Sequence, residues 1–121
     1  MSLWNVGEVL GVLDTYHSRR LMDENTFRQS LRHFLAESQK MIRLGNMEII
    51  PFTAEILAEA YALILRHHIY QGDALQVATC RTENCRLLVS ADNRLIEVAR
   101  SEKIKAFNIE TERNEAERQL P

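Results

Sequence analysis

The chain has 121 residues, enough to bury one hydrophobic core and too few for a second domain of ordinary size. Its 15 basic and 17 acidic side chains leave a formal net charge of −2, so no global basic field announces nucleic acid, although a local positive face remains compatible with that balance. No apolar run approaches the roughly 20 residues of a membrane span. The opening MSLWNVGEVL lacks the basic region and cleavage pattern of a secretory signal, so a cytoplasmic protein without membrane association is expected.

In chain order, Trp4, Val9, Val12, Leu13 and Tyr16 recur at helical spacing and predict a helix over about 3–16, weakened by Gly7 and Gly11. A second helix is predicted over 23–44, with Asp23 or Asn25 as its cap. Phe27, Leu31, Phe34, Leu35, Met41 and Ile42 form its apolar side, and Gly45 is the stop. MEIIPF, residues 47–52, reads as a short strand closed by Pro51. Thr53 should cap a helix over 54–68 carrying Ile56, Leu57, Ala60, Leu63 and Ile64 inward. After a break at Gln71-Gly72, another helix should begin near Asp73 and end around Glu83-Asn84. CRLLVS, residues 85–90, has the continuous apolar character of a buried parallel strand. A helix over 92–102 and a last strand over 105–109 follow, then a charged tail over 111–121, frayed or helical.

Strands separated by helices imply a parallel sheet with helical crossovers, hence the α/β class. Three short strands make a thin sheet for so many helices. Cys80 and Cys85 read as reduced thiols rather than a disulfide framework. His67 and His68 are adjacent, point in different directions from a helix, and make no i, i+4 metal-ligand pair.

Three carboxylates interrupt apolar patterns or stand where an element ends. Glu8 lies inside WNVGEVLGVL, and a buried lone carboxylate requires a cation, a metal or hydrogen bonds. Asp73 opens GDALQVATC. Asp92 follows directly on RLLVSAD, where open parallel sheets bind ligands beyond the carboxyl ends of their strands. Carboxylate oxygens are hard donors suited to Mg²⁺ or Mn²⁺, and metal-assisted phosphodiester hydrolysis would use the three acids together. Each also has a plainer reading. Asp73 makes a good helix cap with Gln76 in the capping-box position, Asp92 could cap the next helix in competition with Ser90, and Glu8 could pair with an arginine.

The stretch GDALQVATCRTENCRLLVSADNRLIEVARSEKIKAFNIE resembles the PIN-domain family, particularly its VapC-type toxin branch. It has Asp73-Ala74 opening a helix that ends in the small residues Ala78-Thr79. A turn at Cys85, an apolar strand at Leu87 to Val89, Ser90-Ala91-Asp92 and a further helix follow. VGEVLGVLD is similar to the family helix that carries an acidic glutamate, here Glu8, and MEIIPF with the helix after it also fits. The resemblance runs from about Trp4 to Ile109 and implies a PIN-like domain over 3–110, a three-layer sandwich with a short parallel sheet flanked by helices.

The family normally begins with a strand ending in Asp-Thr or Asp-Ser, and nothing before Trp4 matches it. The first central strand and its metal-binding aspartate are therefore expected to be absent, and Asp14, which follows a helix, is no substitute. The resemblance implies a Mg²⁺- or Mn²⁺-dependent endoribonuclease, the toxin of a toxin–antitoxin pair. Glu8, Asp73 and Asp92 would be its catalytic and metal-binding acids, RNA its substrate, a protein antitoxin its partner, and a homodimer or higher oligomer its assembly. With that strand missing, activity of this chain is expected to be impaired, and the alternative is a non-catalytic PIN-like binding or assembly module. Arg19, Arg20, Arg28, Arg32 and Arg43 could contact phosphates or form a solvated face. A response-regulator-like domain would want an aspartate cluster at its first strand and a strand-end lysine, neither of which is visible.

Overall fold

The computed structural model describes the backbone of residues 3–120 and the side chains of residues 9–120. Among these the order is α1 (Leu3–Ser18), α2 (Glu24–Arg43), α3 (Ala54–His67), α4 (Gln71–Thr82), β1 (Leu88–Ser90), α5 (Asn93–Ser101), β2 (Ala106–Asn108) and α6 (Arg113–Arg118). The chain divides into two compact units, Met1–Pro51 and Phe52–Pro121.

The first unit is a pair of helices. The Asp23 carboxylate accepts from the Thr26 N–H at 2.6 Å and caps α2, and that bond holds its carboxyl below the ordinary range. His17 of α1 stacks on Phe27 of α2, ring centroids 4.5 Å apart. Trp4 falls outside the described side chains. The apolar side predicted for α2 exists, but no residue of α2 is buried: Phe27, Leu31 and Phe34 are half-buried, while Leu35, Met41 and Ile42 are exposed. Two packed helices cover only the stripe along which they face each other. Gly11 is exposed within α1, and a Cβ built there meets nothing within 4 Å. Gly11→Ala should therefore raise stability by about 0.5–1 kcal/mol through helix propensity alone. A urea melt showing no gain would mean that the glycine serves a close approach.

MEIIPF does not form the predicted strand. Ile50 alone lies in a bridge, and Pro51 brings no N–H to continue a ladder.

The second unit contains the sheet and the core. Thr53 caps α3, its Oγ1 accepting from the Ile56 N–H at 3.1 Å, and Ile56, Ala60 and Leu63 are fully buried at i, i+4 and i+7. α4 packs on α3 and is buried around most of its circumference, at Gly72, Ala74, Leu75, Val77, Ala78, Thr79 and Cys80. Leu95, Ile96, Val98 and Ala99 of α5, Ala106 of β2 and Ala116 of α6 complete the core. β1 and β2 pair in parallel, Leu88 with Ala106 and Ser90 with Asn108. The α/β class read from the sequence is thus observed, with a shorter sheet. β1 is only half-buried, because each strand of a two-stranded sheet is an edge.

Four helices end in the same turn, with a left-handed residue one place past the cap: Arg20 after α1, Gly45 after α2, Asn84 after α4 and Lys103 after α5. In each, two backbone N–H groups reach back to carbonyls of the last turn, the Schellman arrangement.

Candidate functional site

Asp92 stands two residues past the carboxyl end of β1 and caps α5. Its Oδ1 accepts from the Arg94 N–H at 2.9 Å and from the Leu95 N–H at 3.4 Å. Ser90 does not compete for the cap. Its hydroxyl accepts from the Asp92 N–H at 3.0 Å and fixes the strand-to-helix turn. Both cap bonds use Oδ1, and among the described residues Oδ2 accepts none, although the residue is exposed.

The neighbouring strand end is held by residues that the sequence reading passed over. Asn108, the last residue of β2, is 4% exposed. Its Nδ2 donates to Asn93 Oδ1 at 2.9 Å, in the first turn of α5, and its Oδ1 accepts from the N–H groups of Glu110 and Thr111 at 2.8 and 3.2 Å. Its own N–H donates to Glu112 Oε1 at 3.1 Å. That bond, with the Arg100 guanidinium at 3.0 Å, holds the Glu112 carboxyl below its ordinary range. The available signal was a single asparagine inside the apolar run KAFNI.

Asp73 is half-buried in the first turn of α4. The predicted capping box is not the one formed. α4 starts at Gln71, its N-cap Tyr70 makes no side-chain cap bond, and Gly72 is buried inside the first turn instead of breaking the chain. Asp73 thus sits among N–H groups that have no intrahelical partner, where a negative charge is favoured. Arg94, beside Asp92, donates from Nη2 to the His67 carbonyl at 2.8 Å and so ties the start of α5 to the end of α3, a few residues before α4 begins.

The C-terminal end of α5 carries a second polar group. The Glu102 side chain, 9% exposed, accepts from Arg66, from His67 Nε2 at 2.7 Å and from Arg81 Nη2 at 2.7 Å. Arg81 also donates to Glu59 Oε1 at 2.5 Å and to the Glu102 carbonyl at 2.9 Å. A carboxylate only accepts, so the bonded Nε2 of His67 carries the proton. Burial pushes the Glu102 carboxyl up, yet the bonds from His67, Arg81 and Arg66 override it and hold the pKa at about 2. This group joins α3, α4 and α5, and both of its carboxylates are paired with arginine, which marks it as structural.

Glu8 lies in α1, its side chain outside the described residues. Of the five arginines considered for phosphate contact, all exposed, Arg28 pairs with Glu24 at 2.8 Å. No three His, Cys, Asp or Glu side chains gather as a metal-holding group among the described residues. Asp73 and Asp92 are nevertheless donors of the right kind. Mg²⁺ keeps several waters and takes about one or two protein carboxylates together with substrate phosphates, so two acids suffice in chemistry.

No helix among the described residues is long and apolar enough to cross a membrane. No curated protein and no solved structure matches the chain. The family model of the PIN domain matches residues 5–101. PIN domains are nuclease-like, generally bind a divalent metal and, as nucleases, act on RNA. With most of its length inside that match, and with a helix-rich α/β fold built on a short parallel sheet, the chain belongs to the PIN-domain family.

Proposed function

We propose that this chain is a metal-dependent PIN endoribonuclease in which Asp73 and Asp92 hold Mg²⁺ or Mn²⁺. Glu8 is assigned to the same chemistry on the sequence resemblance alone. The observation that carries the reading is Asp92. It stands two residues past the carboxyl end of a parallel strand, where α/β sheets take their ligands, and the helix start fixes one of its oxygens while the other accepts no bond among the described residues. When bound, a divalent cation supplies charge neutralisation at the phosphate oxygens and an acidified water for in-line attack. The chain's own part is positional. The Arg94 and Leu95 N–H groups orient Asp92, the first turn of α4 favours the negative charge of Asp73, and the Asn93–Asn108 pair fixes the strand end beside Asp92.

The same proposal makes the chain the cytoplasmic toxin of a toxin–antitoxin pair, oligomeric and held by a protein antitoxin. Support comes from the apolar side chains that the first unit leaves exposed, among them Val12, Tyr16, Leu21, Ile42 and Leu44.

The test is cleavage of a labelled single-stranded RNA with Mg²⁺ or Mn²⁺. EDTA should stop the reaction, and Asp73→Asn should slow it by about 100-fold or more. RNA binding without cleavage at any metal concentration would instead identify a non-catalytic module.

A further inference from the structure

We propose that Cys80 and Cys85 form a reversible thiol–disulfide site that is closed by glutathione disulfide. Both are free thiols, Cys80 buried in α4 and Cys85 exposed beyond its end. The turn that ends α4 brings them together. The Asn84 N–H donates to the Arg81 carbonyl at 3.1 Å and the Cys85 N–H to the Cys80 carbonyl at 2.9 Å, around Asn84 at a φ of 52°. In such turns the residues at the two ends of the longer bond normally make an apolar side-chain contact. Tyr16 and Leu21 occupy those positions after α1, and Ala99 and Ile104 after α5. After α4 they are the two cysteines, Cys80 and Cys85.

The backbone bond also limits their separation. With standard covalent lengths on either side of it, the two Cα atoms cannot be more than about 7 Å apart. That is the outer limit for a disulfide, and a bond that departs from a straight line brings them closer.

The surroundings select the oxidant. Both cysteines line a depression of about 370 Å³ together with Arg86, Lys103 and Lys105. Glu102, also at its edge, is committed to Arg66, His67 and Arg81. The field there favours a small anion, and the carboxylates of glutathione disulfide outnumber its ammonium groups.

Exposed Cys85 attacks first. Its thiolate forms a bond to one sulfur of glutathione disulfide, the old S–S bond breaks, and one glutathione thiolate leaves. Cys80 then loses its proton and attacks Sγ of Cys85, the bond to the remaining glutathione breaks, and the second thiolate leaves. Two protein thiols are oxidised, and one glutathione disulfide is reduced to two glutathiones, which carry off the protons. Burial, with the neighbouring Cys85, pushes the Cys80 thiol up to about 12. The second step is therefore the slower one, and the mixed disulfide accumulates before closure.

The reduced full chain is incubated with glutathione disulfide, quenched with an alkylating reagent and read by intact and peptide mass spectrometry. The expected course is a transient glutathione adduct on Cys85, then a monomer lacking two hydrogens with Cys80 linked to Cys85, reversed by excess glutathione. Cys85→Ser should abolish both species, and Cys80→Ala should stop at the adduct. Lys103→Glu with Lys105→Glu, which leaves both thiols in place, should slow the reaction with glutathione disulfide by roughly threefold or more but not that with uncharged hydroxyethyl disulfide. A wild-type adduct that never closes, or disulfide-linked dimers in place of the closed monomer, would overturn the site. Equal slowing with both oxidants would overturn the choice of glutathione.

Discussion

Asp92→Asn is expected to lower both Mn²⁺ affinity and RNA cleavage by about 100-fold or more while leaving the melting temperature nearly unchanged. Removing a group that only orients a metal ligand typically costs about 10- to 100-fold, and removal of a ligand costs at least as much. Asparagine keeps the carbonyl oxygen that accepts from the Arg94 and Leu95 N–H groups, and it caps helices about as well as aspartate. It loses the negative charge and one hard oxygen. Asp92→Ala removes the cap as well and should cost about 1 kcal/mol in addition. The pair of variants separates the two roles of one carboxylate. If Asp92 is only a cap, asparagine will preserve activity and affinity and alanine will lower stability alone. If it is a ligand, asparagine will be inactive and well folded. Calorimetric titration with Mn²⁺, cleavage of labelled RNA and thermal melts on the same preparations decide between them.

Asp92 also shows what could be read in advance. An aspartate directly after an apolar run signals a strand end, and the turn from β1 to α5 is local, so sequence placed it correctly. Thr53 and Asp23 were legible for the same reason, since a cap is decided within about four residues. Asp73 was placed less well. Gly72 next to Gln71 reads as a break, but burial of the glycine against its surroundings outweighed its poor propensity and started α4 earlier. MEIIPF has the composition of a strand, but a strand requires a neighbour, and composition does not reveal whether one is there. Asn108 and Asn93 are 15 positions apart and Arg66 and Glu102 are 36 apart. Pairings of that range follow from tertiary packing, and no periodicity encodes them.

Glu102→Gln should cost about 2 kcal/mol of stability at neutral pH. A carboxyl held at about 2 against an ordinary 4.5 corresponds to about 3 kcal/mol of preferential interaction with its charged form. Arg66 and Arg81 are respectively 55% and 35% exposed, so solvent recovers part of that when the charge is removed. Glutamine keeps the shape and one acceptor, which isolates the charge, while Arg81 retains Glu59. The pH dependence has a definite sign. The folded value lies below the unfolded one, so the contribution is complete above about 4.5 and is lost as pH falls toward 2. Wild type and variant should therefore differ most at neutral pH and converge in acid, because protonation makes the native side chain as uncharged as the substitute. Urea melts at pH 7 and near pH 3 measure the gap directly. A gap that stays constant between them would mean that the loss comes from packing or from hydrogen-bond geometry. In that case the cluster binds α3, α4 and α5 by shape and not by charge.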